Sequence, residues 1–173
     1  FQIDESNKAP RRTLEMISEL LRYQLYGGNQ KVSILQEIDY LKTYIALRKL
    51  RMSERLRLRV EFPPELNELE IYPLLFLPLV ENAFKYVGGD YQLDIIMKWE
   101  NNRISLFIRN SIPELSAEDE ALRKSVDERQ RKGIGLVNLR RRLSLLYPNK
   151  HRLETRKEET EFVAELMIEI EDI

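Results

Sequence analysis

Apolar residues recur at helical spacing in the first fifty residues of the chain. Between residues 9 and 26 they form two adjoining stripes, Leu14, Ile17, Leu21 and Leu25 in one and Met16, Leu20 and Tyr23 in the other. Both stripes need covering, so we expect a partner helix from another chain or from an upstream segment. A second helix is predicted to start at Ser33, which has the capping-box spacing to Gln36, and to reach about Met52. Its predicted buried stripe consists of Ile34, Ile38, Leu41 and Ile45.

Strand patterns of period two alternate with helical patterns in the rest of the chain. The dipeptide Asn101-Asn102 between two such strands indicates a hairpin turn. The predicted strands cover residues 56–62, 92–99, 103–109, 152–157 and 162–170, and the predicted helices cover residues 73–87 and a stretch from Gly135 to just before Pro148. Strand pairs interleaved with helices favour a two-layer α/β sandwich, with one mixed sheet and the helices on one of its faces.

Composition and charge exclude several classes of function. The 28 basic and 29 acidic residues give a net charge of −1, which disfavours a nucleic-acid binder. The chain has no cysteine, and its single histidine, His151, rules out His-rich metal sites and is interpreted as a surface residue. No run has the length of a membrane span and no secretory signal is present, so we expect a soluble chain. Because it begins without methionine, we expect a piece of a longer protein.

The first candidate for chemistry is Pro-Leu-Val-Glu-Asn-Ala-Phe-Lys-Tyr, residues 78–86. In a helix Asn82 lies one turn from Lys85 and Tyr86, so an amide oxygen, an ammonium group and an aromatic ring converge on one side. The amide oxygen suits Mg²⁺, the ammonium group can contact phosphate, and the ring can lie against a base. The segment therefore predicts either a magnesium nucleotide site or a buried helix with a solvated end.

The second candidate is Lys-Gly-Ile-Gly-Leu-Val-Asn-Leu, residues 132–139. Gly133 and Gly135 at the opening of a helix let backbone amides approach an anion, which the helix N-terminus also favours. Taken alone, these glycines either bind an anion or only start a helix after a loop. The polar, highly charged residues 111–132 before them are typical of a solvated loop.

The order of these motifs resembles the ATP-binding module of the sensor histidine kinases, the Bergerat or GHKL fold, and more closely its LytS-type subfamily. The motifs that carry the closer resemblance are Ile-Ser-Glu-Leu-Leu-Arg-Tyr at residues 17–23, Pro-Leu-Val-Glu-Asn-Ala at residues 78–83 and Gly-Ile-Gly-Leu-Val-Asn-Leu-Arg-Arg-Arg-Leu at residues 133–143. A helix at residues 37–51, which carries Tyr44, lies between the first two of them and also matches the subfamily. The resemblance covers about residues 9–171.

The resemblance implies a role for each matching residue. Asn82 matches the magnesium-binding asparagine, and Glu81 is implied as a base or water-orienting residue. Lys85 and Tyr86 match positions that contact phosphate and nucleotide, and Asn110 stands where an aspartate reads adenine. The second glycine box corresponds to Lys132, Gly133, Gly135 and Leu136, and the lid that closes over ATP corresponds to about residues 111–132.

The adenine-reading box departs from the family pattern. The family usually carries Asp-x-Gly-x-Gly, whereas this chain has Asn-Ser-Ile-Pro at residues 110–113, without either glycine. The side-chain oxygen of Asn110 can still accept a hydrogen bond from the adenine amino group. The departure leaves an alternative open, a non-catalytic dimerisation or signalling module with a degenerate nucleotide site.

The resemblance implies a cytoplasmic fragment of an ATP- and Mg²⁺-dependent protein histidine kinase. It would transfer the γ-phosphoryl group to a histidine outside this chain, on an upstream phosphoacceptor helix of the same protein, for relay to a response regulator. Residues 1–28 would be the second helix of a dimerisation hairpin and residues 29–173 the ATP-binding catalytic domain. The full-length protein is expected to be a homodimer, anchored in the inner (cytoplasmic) membrane through segments absent here.

Overall fold

A computed structural model describes residues 8–26, 30–64, 66, 69–114 and 134–170 of the 173. In chain order its elements are α1 (Lys8–Tyr26), β1 (Val32–Ser33), α2 (Ile34–Lys49), β2 (Arg57–Glu61), β3 (Glu70–Ile71), α3 (Leu77–Tyr86), β4 (Gln92–Glu100), β5 (Arg103–Ser111), α4 (Ile134–Leu146), β6 (His151–Lys157) and β7 (Glu161–Glu169). The chain divides into two compact units, Phe1–Ser53 with Asn67–Leu74 and Glu54–Leu66 with Leu75–Ile173. The domain boundary after residue 28 stays a prediction.

In the first unit, α2 begins at the predicted capping box. The Ser33 hydroxyl oxygen accepts a hydrogen bond from the Leu35 amide (3.2 Å), and the Gln36 side-chain oxygen accepts one from the Ser33 amide (3.1 Å). The predicted buried stripe is confirmed, since its four apolar residues are at most 5% exposed. The helix ends at Lys49 rather than Met52, because the amides of Arg51 and Met52 bond to carbonyls three residues back, which tightens the last turn.

Helix α1 packs on α2 through one of its two apolar stripes. Leu20 is buried, and the Tyr23 ring stacks on Tyr40 with 4.7 Å between the ring centroids. The other stripe is open to solvent, with Leu14, Leu21 and Leu25 65%, 54% and 81% exposed. The partner helix that was predicted to cover this exposed stripe therefore stays a prediction.

The two-residue strands β1 and β3 pair antiparallel in the first unit. They were not predicted, because two residues are too few to show an alternating pattern.

The second unit contains a five-stranded mixed sheet in the order β2-β4-β5-β7-β6, in which β2 and β4 are parallel and the other pairs antiparallel. Asn101 and Asn102 have φ of 52° and 59°, the left-handed backbone that a type I′ hairpin turn requires. Helix α3 packs on β4 and β5, and α4 packs on α3 and β6. One face of the sheet forms the core, through Leu93, Ile95, Met97, Ile104, Leu106, Ile108, Ala164, Leu166 and Ile168. The predicted α/β sandwich with a mixed sheet is confirmed.

The predicted start of the third helix at Pro73 is wrong, because α3 begins at Leu77. Leu74 has a φ of 60°, a left-handed backbone that cannot continue into a right-handed helix. Pro78 lies in the first turn of α3, where its missing N–H and its ring are tolerated. In a helix starting at Pro73 the same proline would lie in the interior and clash with the carbonyl of Leu74.

The single histidine is half-buried at the start of β6 rather than at the surface as predicted. Its Nδ1 lies 2.7 Å from the carbonyl oxygen of Tyr147, and because a carbonyl only accepts, Nδ1 carries the proton. His151 thus ties β6 to the end of α4. Among the described helices, none combines the length and the apolar character that crossing a membrane requires.

Candidate functional site

Helix α3 presents a polar face beside a buried one. Leu79, Val80, Ala83 and Phe84 are at most 3% exposed and hold the helix on the sheet. On the remaining surface, Glu81 and Lys85 are exposed and Asn82 and Tyr86 are half-buried. Since Asn82 and Tyr86 are four residues apart, they lie on the same side of the helix. The structure therefore places the four predicted residues of α3 around one solvent-accessible face.

The positive charge on this face is carried by Lys85, whose Nζ lies 5.1 Å from the ring centroid of Tyr86. This distance is that of a cation–π contact, which stabilises an exposed ammonium group weakly. The lysine side chain is long and exposed, so it can leave the ring to meet an anion at little cost. In this structure the predicted phosphate-contacting and nucleotide-contacting groups touch each other.

Asn110 lies near the end of β5, on the face of the sheet that the helices cover. It shares that face with Leu106 and Ile108, since alternate residues of a strand point the same way, and it is 1% exposed. Its Nδ2 donates a hydrogen bond to the carbonyl oxygen of Ser111 (3.3 Å). Its Oδ1 is buried and has no hydrogen-bond partner among the residues that the structure describes. An amide oxygen held in this way is an acceptor ready for a donor that enters from outside the protein.

The residues after Asn110 are fastened to the end of α3. The Ser111 hydroxyl donates to the carbonyl oxygen of Gly88 (2.7 Å) and accepts from the Gln92 amide (2.9 Å), while the Gly88 amide donates to the Ser111 carbonyl (3.0 Å). A Cβ atom at Gly88 would lie 2.9 Å from Cδ of Pro113, so only glycine fits there. These contacts fix the first residues of the predicted lid beside the helix that carries Asn82.

The second glycine box is described only in part. Lys132, Gly133 and most of the predicted lid, residues 115–132, lie outside the described residues. Gly135 and Leu136 lie in the first turn of α4, which packs on α3. A Cβ atom at exposed Gly135 would meet nothing within 4 Å, so packing within the described chain does not require glycine at this position.

An ion pair between a buried aspartate and a half-buried arginine, on the other face of the sheet, was not predicted. Asp94 is 4% exposed, and its Oδ2 accepts from Nε (3.0 Å) and Nη2 (2.7 Å) of Arg109 on the neighbouring strand. The hydrogen bond from the guanidinium group to Asp94 raises the pKa of Arg109. An Asp and an Arg on adjacent strands could have indicated the pair, but only once the register was known. In the sheet register this pair lies next to the pair formed by Leu93 and Asn110.

A preformed metal site of several acidic or imidazole ligands is not found in the described part of the chain, where no three His, Asp or Glu side chains gather. Mg²⁺ does not need such a cluster, because it commonly keeps several waters and takes one or two protein oxygens together with substrate phosphates. The half-buried Asn82 amide and the adjacent Glu81 carboxylate are compatible with that kind of site. Asn82 therefore remains the predicted metal ligand.

The chain is similar to known proteins in three comparisons: with family models, with protein sequences and with solved structures. Residues 2–56 match the family model described as histidine kinase. The sensor protein kinase HptS of Staphylococcus aureus (strain USA300) is 27% identical over 158 residues, which are 88% of this chain. The chain spans about 30% of the length of HptS, so the comparison concerns one part of that protein.

Solved structures of histidine kinases share the fold. The histidine kinase AdeS of Acinetobacter baumannii superposes with a TM-score of 0.51 at 16% identity, over 93% of this chain and 77% of AdeS. The mycobacterial sensor histidine kinase MprB gives a TM-score of 0.53 at 13% identity, over 84% of this chain and 99% of MprB. These comparisons do not reach the subfamily, so the LytS-type assignment stays a prediction. The chain is similar in sequence to a sensor kinase and to the histidine kinase family model, and it has the α/β fold of solved histidine kinase structures.

Proposed function

We propose that this chain is the ATP-binding catalytic part of a two-component sensor histidine kinase, cytoplasmic in location. In this proposal the γ-phosphoryl group of ATP goes to a histidine outside the chain and then to a response regulator. The observation that carries the proposal is the buried, unpartnered Oδ1 of Asn110, on the sheet face against which α3 packs. A buried polar atom without a partner costs stability, so its retention favours a ligand as the missing partner.

Adenine supplies the donor that this atom lacks. The Asn110 Nδ2 is already engaged by the Ser111 carbonyl, which leaves Oδ1 as the group that faces an incoming base. The exocyclic amino group of adenine donates hydrogen bonds, whereas guanine carries a carbonyl oxygen at the same position. Asn110 would therefore accept from adenine and be repelled by guanine. The neutral amide makes this contact without the charge of an aspartate.

The phosphates would lie along the polar face of α3. Asn82 would hold Mg²⁺ through its amide oxygen, and Lys85 would move from the Tyr86 ring to the phosphate oxygens. Bound Mg²⁺ supplies neutralisation of the phosphate charge. The protein's contribution is then mainly positioning and charge stabilisation, as is usual for phosphoryl transfer, with Glu81 as the proposed base or water-orienting group.

The glycine box and the lid would enclose the nucleotide. Gly135 has open space where a side chain would stand, which supports close approach of a ligand to the backbone there. We assign Lys132, Gly133 and Leu136 to the same box and residues 111–132 to the lid. The hydrogen bonds that tie Ser111 to Gly88 would serve as the fixed end of that lid.

The helical part of the chain would connect two subunits. We propose that residues 1–28 are the second helix of a dimerisation hairpin and residues 29–173 the catalytic domain. The exposed stripe of Leu14, Leu21 and Leu25 supports a partner helix, because a row of large apolar side chains on one helix face is costly in water. The upstream phosphoacceptor helix and the membrane anchor are assigned to other parts of the full-length homodimer.

The alternative is a non-catalytic dimerisation or signalling module with a degenerate nucleotide site. The segment after Asn110 favours it, because Ile112 and Glu114 occupy the place of the family's glycines. Pro113 also packs against Gly88, and the Ile112 carbonyl lies close to Gly89. A backbone fixed in this way has less freedom to adapt to a base.

Titration calorimetry of the chain with ATP and MgCl₂ decides between the two proposals. We expect binding to the unmutated chain, weaker and Mg²⁺-independent binding to Asn82→Ala, and discrimination against GTP. Ser144→Ala, which changes an exposed serine of α4 outside the candidate motifs, is the control and should bind as the unmutated chain does. If millimolar ATP does not bind to the unmutated chain, the kinase proposal is wrong and the non-catalytic module is favoured. If ATP binds, a protein carrying the acceptor helix should gain acid-labile phosphohistidine.

A further inference from the structure

A fully buried carboxyl group joins three segments of the first unit. Glu37 lies in the first turn of α2 and is 0% exposed. Its Oε2 accepts a hydrogen bond from the Tyr23 hydroxyl on α1 (2.6 Å) and another from the backbone amide of Leu74 (2.9 Å). We name the set of Tyr23, Glu37 and Leu74 the Glu37 junction. One oxygen atom thus links α1, α2 and the segment that leads into α3.

The carboxyl group of the junction is shielded from water, which strengthens the hydrogen bonds that it accepts. Tyr23 is half-buried, and its ring is stacked on Tyr40 at an interplanar angle of 28°. Burial, followed by the proximity of Glu37, raises the pKa of the Tyr23 hydroxyl, which therefore stays a donor. A buried carboxyl group that loses one of its donors is destabilised more than an exposed one.

The third member of the junction has an unfavourable backbone. Leu74 has a φ of 60°, in the left-handed region that residues with a branched aliphatic side chain seldom adopt. Such a conformation persists only where its surroundings hold it, and the bond from the Leu74 amide to Glu37 does so here. Leu75 and Phe76, both 0% exposed, follow directly, and α3 then begins at Leu77. The backbone conformation at Leu74 therefore sets where the helix of Glu81 and Asn82 starts.

We propose that Glu37 is a positioning residue that makes the start of α3 depend on the docking of α1. When α1 is docked, the Tyr23 hydroxyl and the Leu74 amide share one acceptor, and Leu74 is held in its left-handed conformation. When α1 moves away, Glu37 loses a donor and Leu74 relaxes. The proposal concerns the protein without nucleotide. Only the link from the start of α3 to Mg²⁺ binding by Asn82 rests on the proposed kinase function.

Tyr23→Phe tests the junction in the whole chain. It removes the hydroxyl and keeps the ring that stacks on Tyr40, so the helix pair remains packed. The matched control is Gln24→Ala, which removes another hydrogen bond between α1 and α2, from Gln24 Nε2 to the Tyr40 hydroxyl (2.8 Å), without touching Glu37. Each variant removes one side-chain hydrogen bond between α1 and α2. Only the first should affect the Leu74 amide.

The measurement is amide hydrogen exchange of the ¹⁵N-labelled chain by NMR, without nucleotide. In Tyr23→Phe we expect exchange at Leu74, and at Leu79 and Val80 in the first turns of α3, to accelerate about five- to tenfold. In Gln24→Ala these three amides should change by less than about twofold, since Glu37 keeps both of its donors, the Tyr23 hydroxyl and the Leu74 amide. Rates in Tyr23→Phe within twofold of the unmutated chain would overturn the proposal, and so would equal acceleration in both variants.

A second variant tests whether the backbone of Leu74 transmits the effect. Glycine adopts the left-handed region without cost, so Leu74→Gly should make the start of α3 independent of the junction. In the Leu74→Gly background, adding Tyr23→Phe should change exchange at Leu79 and Val80 by less than about twofold. An undiminished effect in that background would show that Leu74 is not the connection and would refute the proposal. Failure to bind ATP would leave these rates unaffected, so the two proposals fail separately.

Discussion

The buried amide of Asn110 should lower the stability of the nucleotide-free protein. An acceptor such as Oδ1, buried without a partner, costs about 1–3 kcal/mol. Replacing Asn110 with leucine, a side chain of similar size, removes that cost. The change also removes the long Nδ2 bond to the Ser111 carbonyl, but this carbonyl keeps the Gly88 amide at 3.0 Å. We therefore expect Asn110→Leu to raise the free energy of unfolding by about 1–2 kcal/mol.

The assay is urea denaturation followed by circular dichroism, together with thermal melting, both without nucleotide. For a chain of this size, the expected gain corresponds to a rise in Tm of about 2–8 °C. Asn138→Leu on the exposed side of α4 is the control, and its free energy of unfolding should change by no more than about 0.5 kcal/mol, through helix propensity. The same Asn110 variant should lose ATP binding in calorimetry, so that stability and affinity change in opposite directions.

Two results would refute the reasoning. If Asn110→Leu lowers the free energy of unfolding by more than about 1 kcal/mol, the amide oxygen has a partner in solution and its burial is not a cost. If the variant is more stable but binds ATP with unchanged affinity, the oxygen does not read adenine, and the proposed role of Asn110 is wrong.

Three further predictions concern local chemistry. Ser33→Ala should remove the capping box of α2 and lower the free energy of unfolding by about 1 kcal/mol in urea denaturation, whereas Ser33→Asp should not. Asn102→Ala should lower it by about 1–2 kcal/mol because φ is 59° there, whereas Asn102→Gly should not; equal effects would contradict the turn assignment. The pKa of Tyr23 is raised in the folded state, so its contribution to stability is complete below the unfolded pKa of about 10 and is lost as pH rises above it. Urea midpoints between pH 8 and 11 should therefore fall less steeply in Tyr23→Phe than in the unmutated chain.

Local sequence chemistry predicted the elements whose boundaries are set by their own residues. Ser33 and Gln36 form the cap of α2, and Asn101 and Asn102 adopt the backbone that their hairpin requires. In each case the group that fixes the conformation lies within three residues of the position it fixes. Such signals are visible in a single sequence because no distant partner is needed.

The start of α3 shows why other boundaries could not be predicted. The apolar run from Pro73 continues through Leu77 without interruption, so its hydrophobic pattern marks no break. The break at Leu74 depends on an acceptor 37 residues earlier in the chain, the carboxyl group of Glu37. Pro78 was the one local signal, since it belongs in a first helical turn rather than an interior.

The candidate site was predictable in its residue types but not in its arrangement. The spacing of Asn82, Lys85 and Tyr86 correctly placed them on one helix face. The contact between Lys85 and the Tyr86 ring, and the burial of Asn110 with one amide atom satisfied and the other not, depend on packing between elements. A motif indicates which groups are present, whereas the sheet register and the helix packing decide which atoms are left open to a ligand.

The two edge strands of the five-stranded sheet affect whether another strand can pair with the second unit. Strands β2 and β6 lie at the edges, and each presents charged, exposed side chains at alternate positions: Arg57, Arg59 and Glu61 on one, Arg152, Glu154 and Arg156 on the other. A strand that paired with either edge would have to place its own side chains against these charged side chains. The charge on both edge strands therefore disfavours edge-to-edge pairing between copies of this sheet.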